Sequence, residues 1–125
     1  MRACDARLGV KKLRRPWLTS VLELARLAAP NTTQLADGLA CRIAEHDALQ
    51  TMARHVDHVV QMSALEVAQA MRALYQDTHN VAEGAGAASF AAATQERAGL
   101  RGLCVGTTLC GGNVDAAVLA RVLQA

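Results

Sequence analysis

The sequence predicts an α/β protein in which a partial parallel sheet is flanked by helices. Two short runs have the composition and length of strands: the β-branched run at 56–62, which fits a buried or half-buried strand, and the run at 103–109, which fits a buried one. They alternate with longer segments whose apolar residues recur at helical spacing. Because strands that alternate with helices favour parallel pairing, we expect a parallel sheet. A chain of 125 residues forms at most one domain of this kind.

Composition narrows the class of protein. Hydrophobic residues make up 52% of the chain and charged residues 19%, which is typical of a globular domain. Residues 1–15 carry six basic side chains against Asp5 alone, and the rest of the chain is mildly acidic. This distribution does not predict a nucleic-acid-binding surface, and no apolar run is long enough to cross a bilayer. The basic arm also lacks the apolar core of a secretory signal, so we expect a cytoplasmic protein.

The first half of the chain combines a basic arm with two predicted helices. Residues 1–30 are predicted to form the arm and a helix that begins at Pro16 and ends before Pro30. Residues 35–43 are consistent with either a short strand bent at a glycine or an irregular turn. A second helix is predicted from about Glu45 to His55, and the strand at 56–62 follows it.

The middle of the chain predicts two helices in succession. Ser63 and Glu66 form a capping box, in which each side chain accepts a hydrogen bond from the other's backbone N–H. The helix that they open ends at about His79-Asn80. Its predicted apolar stripe consists of Leu65, Ala68, Met71, Leu74 and Tyr75. An alanine-rich helix follows over residues 82–98, with Gly84 and Gly86 in its first turn, where they allow close backbone approach.

The most informative stretch is residues 103–115, which follow a turn at 99–102. A predicted strand leads into Cys110, two glycines and a polar entry to the final helix, which Val118, Leu119, Val122 and Leu123 mark. Such a sequence predicts a backbone pocket at the carboxyl end of a strand, although spacing does not identify the ligand. From spacing alone, the simplest interpretation of Cys110 is a buried thiol that ends a strand.

No metal site is expected. The four cysteines show neither CxxC pairing nor histidine partners at zinc spacing, and we expect them to be reduced thiols. His55 and His58 are not on an HExxH frame, so they more plausibly flank a strand than bind metal.

Four segments carry a resemblance to a known family. They are LADGLACRI (35–43), VDHVVQMSALEVAQAMR (56–72), THNVAEGAGAA (78–88) and LCGGNVDAAVLARVL (109–123). From Leu35 onward the chain resembles the C-terminal part of the threonine/serine dehydratases, which are pyridoxal-phosphate (PLP) enzymes with a tryptophan-synthase-β-like fold. Residues 1–30 share no such motif. We therefore expect an unmatched N-terminal segment, 1–30, and a C-terminal segment of a dehydratase domain, 31–125.

The resemblance implies cofactor-binding roles for five residues. Cys110 stands where the family has a Ser or Cys that faces the pyridine nitrogen of PLP, and a thiol there is a weak hydrogen-bond donor. Gly111 and Gly112 correspond to glycines that let the backbone run close beneath the ring. Gly38 corresponds to a glycine that lines the cofactor, and Glu83 to a carboxylate near the ring hydroxyl and the substrate.

Two of these residues also have simpler interpretations. Without the resemblance, Glu83 is a first-turn acid that the helix dipole favours. Asp37-Gly38 is then an ordinary turn dipeptide.

The residue that this chemistry needs most is not in a matching position. The Schiff base with PLP requires a lysine, and the chain's two lysines, Lys11 and Lys12, lie in the basic arm. The family's glycine-rich phosphate loop is also missing. We therefore assign no catalytic residue, and we expect weak or absent PLP binding and no dehydratase activity in a chain that is a fragment of such an enzyme.

Two functions remain open. The first is the C-terminal part of a lyase that converts L-threonine or L-serine to a 2-oxo acid and ammonia by β-elimination. Its partners would be the amino-acid substrate in the intact enzyme and either a complementing N-terminal chain or a second copy. The second is a small, non-catalytic α/β binding or interaction module.

Overall fold

A computed structural model describes residues 35–39, 45–56 and 58–125 of the chain. A 3₁₀ turn, Asp37–Leu39, precedes the helices of this part of the protein. We number them α1 (His46–His55), α2 (Ala64–Thr78), α3 (Gly84–Gln95) and α4 (Ala116–Gln124). All four correspond to helices that the sequence predicts, so these four predictions are confirmed.

The predicted partial parallel sheet is wrong for this part of the protein. The described residues contain no strand, and the segments at 58–62 and 103–109 run without regular structure. A β-branched run becomes a strand only where a neighbouring strand supplies backbone partners. A helix, by contrast, satisfies its backbone within one segment. The sequence therefore predicted the helices correctly, because a helix needs no partner segment, and predicted strands that do not form in the described residues, because a strand needs one.

The described part of the segment with two open interpretations, residues 35–39, forms a turn. Residues 35–39 contain the 3₁₀ turn, in which Leu39 N–H donates to the Ala36 carbonyl at 3.0 Å. The carboxylate of Asp37 also accepts from the Gly38 N–H at 2.9 Å. The rest of this predicted element, 40–43, and the predicted helix between Pro16 and Pro30 lie outside the described residues.

The hydrophobic core lies between α2 and α3. The buried cluster consists of Val67, Ala70, Met71, Leu74, Ala82, Ala87, Ala91 and Val122. Small side chains on α3 let it approach α2 closely, as the alanine-rich sequence predicts. The predicted stripe on α2 is only partly correct. Leu65 is 66% exposed and Tyr75 is 39% exposed, because the helix is rotated so that Val67 and Ala70 face α3 instead.

The predicted capping box is confirmed at the start of α2. The Ser63 hydroxyl accepts from the Glu66 N–H at 3.2 Å, and the Glu66 carboxylate accepts from the Ser63 N–H at 2.7 Å. Gln95, at the end of α3, donates from its side chain to the same carboxylate at 2.9 Å. These bonds, with that from the Ser63 backbone first, lower the pKa of Glu66. The box thus links the start of α2 to the end of α3.

Polar contacts hold the remaining segments on this helix pair. The Arg72 guanidinium on α2 donates twice to the Val122 carbonyl on α4, at 2.9 and 2.8 Å. His58 Nε2 lies 2.7 Å from Glu96 Oε1. Among the described helices, none is both long enough and apolar enough to cross a bilayer.

Candidate functional site

The chain makes a sharp corner between α2 and α3. His79 ends α2 in the left-handed conformation (φ 56°), and its N–H donates to the Tyr75 carbonyl. The Asn80 side chain then donates to the Thr78 carbonyl at 3.0 Å and to the Thr78 hydroxyl at 3.1 Å. Ala82 is buried, and Glu83 is the N-cap residue of α3. The corner places the start of α3 where two segments that are distant in sequence pass across it.

Two glycines in the first turn of α3 make the crossings possible. A Cβ on Gly84 would overlap the carbonyl of Leu35, and a Cβ on Gly86 would overlap the carbonyl of Cys110. The predicted close backbone approach at these glycines is therefore confirmed. The Glu83 N–H also donates to the Gly111 carbonyl at 2.8 Å, which holds the second segment in place.

The predicted site residues meet at this crossing. Gly111 has a positive φ of 69°, and a Cβ there would overlap the Glu83 carboxylate. A Cβ on Gly38 would lie 3.0 Å from the Ala85 Cβ and 3.8 Å from Glu83 Oε1. Glu83 is therefore the side chain shared by both crossing segments.

The remaining two predicted residues lie in the same segment as Gly111. The Cys110 carbonyl faces Gly86, and a Cβ on Gly112 would lie 3.3 Å from the Val81 carbonyl. All five predicted residues thus surround the start of α3. Their roles toward a cofactor remain predictions, because proximity does not establish what they bind.

The chemical groups that meet at the crossing are a carboxylate and main-chain carbonyl and N–H groups. Cys110 is a free, exposed cysteine, whereas Cys104 is disulfide-bonded, so the expectation of reduced thiols is confirmed for the first and wrong for the second. Glu83 is half-buried and makes no side-chain cap bond. A carboxylate at this position is favoured by the helix dipole, and the first N–H groups of a helix lack intrahelical acceptors. The site therefore offers a hydrogen-bond acceptor, the carboxylate, and hydrogen-bond donors, the main-chain N–H groups.

Three further residues, which the sequence analysis did not predict, complete the site. Leu35 and Val81 contribute backbone carbonyls, and Ala85 contributes a methyl group. The small residues of the AEGAGA run signalled that something approaches α3 closely. They did not signal which segments approach, because contacts between distant segments leave no local periodicity.

An apolar cleft of about 290 Å³ opens beside the 3₁₀ turn. It is lined by Leu35, Ala36, Leu39, Met62, Ser63, Ala64, Val67 and Ala88, and it contains none of the five predicted residues. Within the described ranges, no group of three or more His, Cys, Asp or Glu side chains is arranged to hold a metal ion.

Comparison with known proteins identifies the family. Residues 8–111 match the family described as pyridoxal-phosphate dependent enzyme. The chain belongs to this PLP-dependent enzyme family. The match begins inside residues 1–30, the segment in which no motif of the family was recognised. The sequence resemblance is thereby confirmed, and PLP is the cofactor on which the family depends.

A curated relative gives a more specific similarity. The chain is 31% identical over 90 residues to the L-threonine ammonia-lyase of Thermotoga maritima. The aligned part covers 72% of this chain and 22% of that protein. The chain thus spans about a fifth of the length of the curated relative that it matches.

The described residues do not by themselves fit PLP as a complete site. The cofactor needs a lysine for its aldehyde, and the two lysines of the chain lie outside the described residues. The glycine surfaces at the crossing are also already covered, Gly86 by the Cys110 carbonyl and Gly111 by the Glu83 carboxylate. We therefore derive no reaction step from this site.

Proposed function

We propose that this chain supplies a C-terminal segment of a PLP-dependent ammonia-lyase that acts on L-threonine or L-serine. In such an enzyme, β-elimination yields a 2-oxo acid and ammonia. The observation that carries the proposal is the meeting of Gly38, Glu83 and the 110–112 segment at the start of α3. Residues from three separate motifs would have no reason to converge if the motifs had arisen by chance.

Each residue has a proposed task in the assembled enzyme. Cys110 faces the pyridine nitrogen, where a thiol is a weak hydrogen-bond donor. Glu83 lies on the side of the ring hydroxyl and the substrate. Gly38 and Gly112 allow the backbone to approach the cofactor closely, and Gly111 leaves room for the Glu83 carboxylate. Support for the first task comes from the Cys110 thiol itself, which is free and exposed.

We further propose that the 125-residue polypeptide does not catalyse the reaction by itself. The described residues include no lysine, and the sequence contains no match to the family's glycine-rich phosphate loop. These parts would come from a complementing polypeptide, and the amino-acid substrate would bind only to the assembly. Without that partner, the exposed apolar side chains favour self-association of the chain.

Complementation tests this proposal directly. The purified chain is incubated with PLP and L-threonine or L-serine, and 2-oxo acid is measured with and without the part of the Thermotoga maritima relative that the chain does not match. We expect product only in the mixture. Cys110→Ala should lower the rate of the mixture, and Cys110→Ser, which keeps a donor, should retain most of it.

Each other outcome has a distinct meaning. Product from the chain alone at the rate of an intact enzyme would contradict the proposed inactivity. A mixture that binds PLP but forms no product would contradict the ammonia-lyase assignment.

A second candidate function is a small, non-catalytic interaction module. It is favoured by the packing of the described residues, in which protein groups cover the surfaces of Gly84, Gly86 and Gly111. If the chain does not bind PLP either alone or in the mixture, and PLP leaves the midpoint of its thermal unfolding unchanged, this candidate is supported instead.

A further inference from the structure

Asp37 and Gly38 form an Asp-Gly pair in the exposed 3₁₀ turn that crosses α3. The Gly38 N–H donates to the Asp37 carboxylate at 2.9 Å, so the fold holds this side chain against the backbone nitrogen of the next residue. Asp37, Gly38 and Leu39 are all exposed, which gives water access to the pair. The turn thus brings together the two groups that react when an aspartate forms a cyclic imide with its own backbone.

The turn also hinders this reaction very little. A side chain on the following residue restricts the approach of its nitrogen to the carboxyl carbon, and Gly38 has none. The turn consists of three residues, Asp37–Leu39, and the Leu39 N–H donates to the Ala36 carbonyl at 3.0 Å. Because hydrogen-bond geometry in a 3₁₀ turn is poorer than in an α-helix, its peptide groups can rotate into the attacking position.

Three other described aspartates lie in different surroundings. Asp47, Asp77 and Asp115 are each followed by a residue that has a Cβ and belongs to a helix. The Ala48 N–H, which follows Asp47, donates to the Glu45 carboxylate at 3.1 Å. A helical backbone fixes the following peptide group and so keeps its nitrogen away from the carboxyl carbon. These three aspartates are therefore controls within the same chain.

We propose that Asp37 is a site of spontaneous conversion to isoaspartate. The Gly38 nitrogen attacks the side-chain carboxyl carbon of protonated Asp37. A bond forms between these two atoms, and the amide proton leaves with the carboxyl hydroxyl as water. Water then adds to the main-chain carbonyl carbon of Asp37, the bond from that carbon to the Gly38 nitrogen breaks, and the nitrogen takes up a proton from the water. The product has the same composition, and no oxidant or cofactor is consumed.

The conversion changes the crossing at α3. The main chain now passes through the former side chain and is longer by one methylene group. It displaces Gly38, where a Cβ would already lie 3.0 Å from the Ala85 Cβ, and it breaks the bond between the Leu39 N–H and the Ala36 carbonyl. The buried cluster between α2 and α3 does not include Asp37, so these helices should stay folded. The inference does not depend on the ammonia-lyase proposal.

Prologed incubation of the full chain in warm, neutral buffer tests the inference. An isoaspartyl methyltransferase, which methylates isoaspartate and not aspartate, measures the product, and mass-spectrometric fragmentation of the digested chain locates it. We expect isoaspartate at residue 37, at a level about tenfold or more above that at the three control aspartates. Gly38→Ala should slow the conversion about tenfold, because the new Cβ hinders the nitrogen. Asp37→Glu should abolish the signal.

The parent chain in urea is the reference for the effect of the fold. We expect the folded chain to convert at least as fast as the unfolded one, and the Leu39 amide of the converted chain to exchange faster with heavy water. The inference is overturned if the folded chain forms no isoaspartate at residue 37, or if conversion occurs only in urea. It is also overturned if the control aspartates convert equally. The comparison with urea uses only the parent chain, so it decides the matter even if Gly38→Ala does not fold.

Discussion

Residues 64–95 and residues 96–113 have similar hydrophobicity in the sequence. In the structure, however, the two regions differ sharply in how many of their residues are buried. The first region, α2 and α3, contains every buried hydrophobic residue of the described chain except Ala36 and Val122. The second contains no buried residue. It contacts α3 through the Ser89–Thr108 hydrogen bond, the bond from the Glu83 N–H to the Gly111 carbonyl, and the close approach of the Cys110 carbonyl to Gly86.

The contrast shows how the two kinds of segment become ordered. The helix pair satisfies its backbone internally and needs only apolar side chains to stay together. The extended segment has apolar side chains too, but its backbone needs a second strand. Hydrophobicity alone therefore does not bury a segment. The predictions below test this division of stability between the two regions.

The largest effect is expected at Met71, which among the described residues is the bulkiest completely buried side chain. Met71→Ala should lower the free energy of unfolding by about 3 kcal/mol, because it removes buried methylene groups and leaves a cavity. Urea unfolding followed by circular dichroism measures the change. Leu65→Ala on the same helix and Leu103→Ala in the extended segment, both exposed, should each change it by less than about 0.5 kcal/mol. Equal losses at Met71 and Leu103 would contradict the comparison.

A smaller but more informative effect is expected at Gly86. Gly86→Ala should gain helix propensity and yet lower the free energy of unfolding by about 2 kcal/mol, because the new Cβ overlaps the Cys110 carbonyl. The matched control is Gly99→Ala, where the nearest atom to the new Cβ is 3.6 Å away. If Gly86→Ala is stabilising, the 110–112 segment does not pack on α3 as described.

The smallest effect concerns the capping box at the start of α2. Hydrogen bonds from Ser63 and Gln95 lower the pKa of Glu66, so its contribution to stability is present above the ordinary pKa of 4.5. That contribution is lost as the pH falls through the lowered value. Unfolding measured between pH 6 and pH 2 should therefore show a stability difference between the parent and Glu66→Gln that shrinks at acidic pH.

Ser63→Ala provides the control for this titration. It removes the hydroxyl that bonds to Glu66 but keeps the backbone N–H, which is the larger cause of the lowered pKa. The pH-dependent difference should become smaller in this background without disappearing. A difference that is constant with pH would show that the carboxylate charge does not contribute.

Much of the helical structure was predictable because its signals are local. The capping box at Ser63 and Glu66 predicted where α2 begins, and the left-handed His79 lies at its predicted end. The face that α2 buries was less predictable. Leu65 and Val67 are both apolar, and only the position of α3 decides which of them is covered. The strands failed for the same reason, since their partners are not specified by their own residues.

The candidate site was predictable through motifs and only partly through physics. Gly84 and Gly86 predicted that another part of the backbone approaches α3 closely, and the structure shows this approach. No local pattern, however, connects Gly38 with Glu83, because the two lie in different segments. The family resemblance assigned these residues to one site, and the fold places them close together. What they bind is a question for the complementation experiment.

The hydrogen bond from the Glu83 amide to the Gly111 carbonyl has a consequence for dynamics. α2 and α3 are neighbours in sequence, so they find each other by closing a short loop, whereas 110–112 must return over a longer one. Exchange of the Glu83 amide proton with heavy water therefore reports departure of the returning segment, not melting of the helices. A single resonance could thus follow how often the crossing opens while the rest of the protein stays folded.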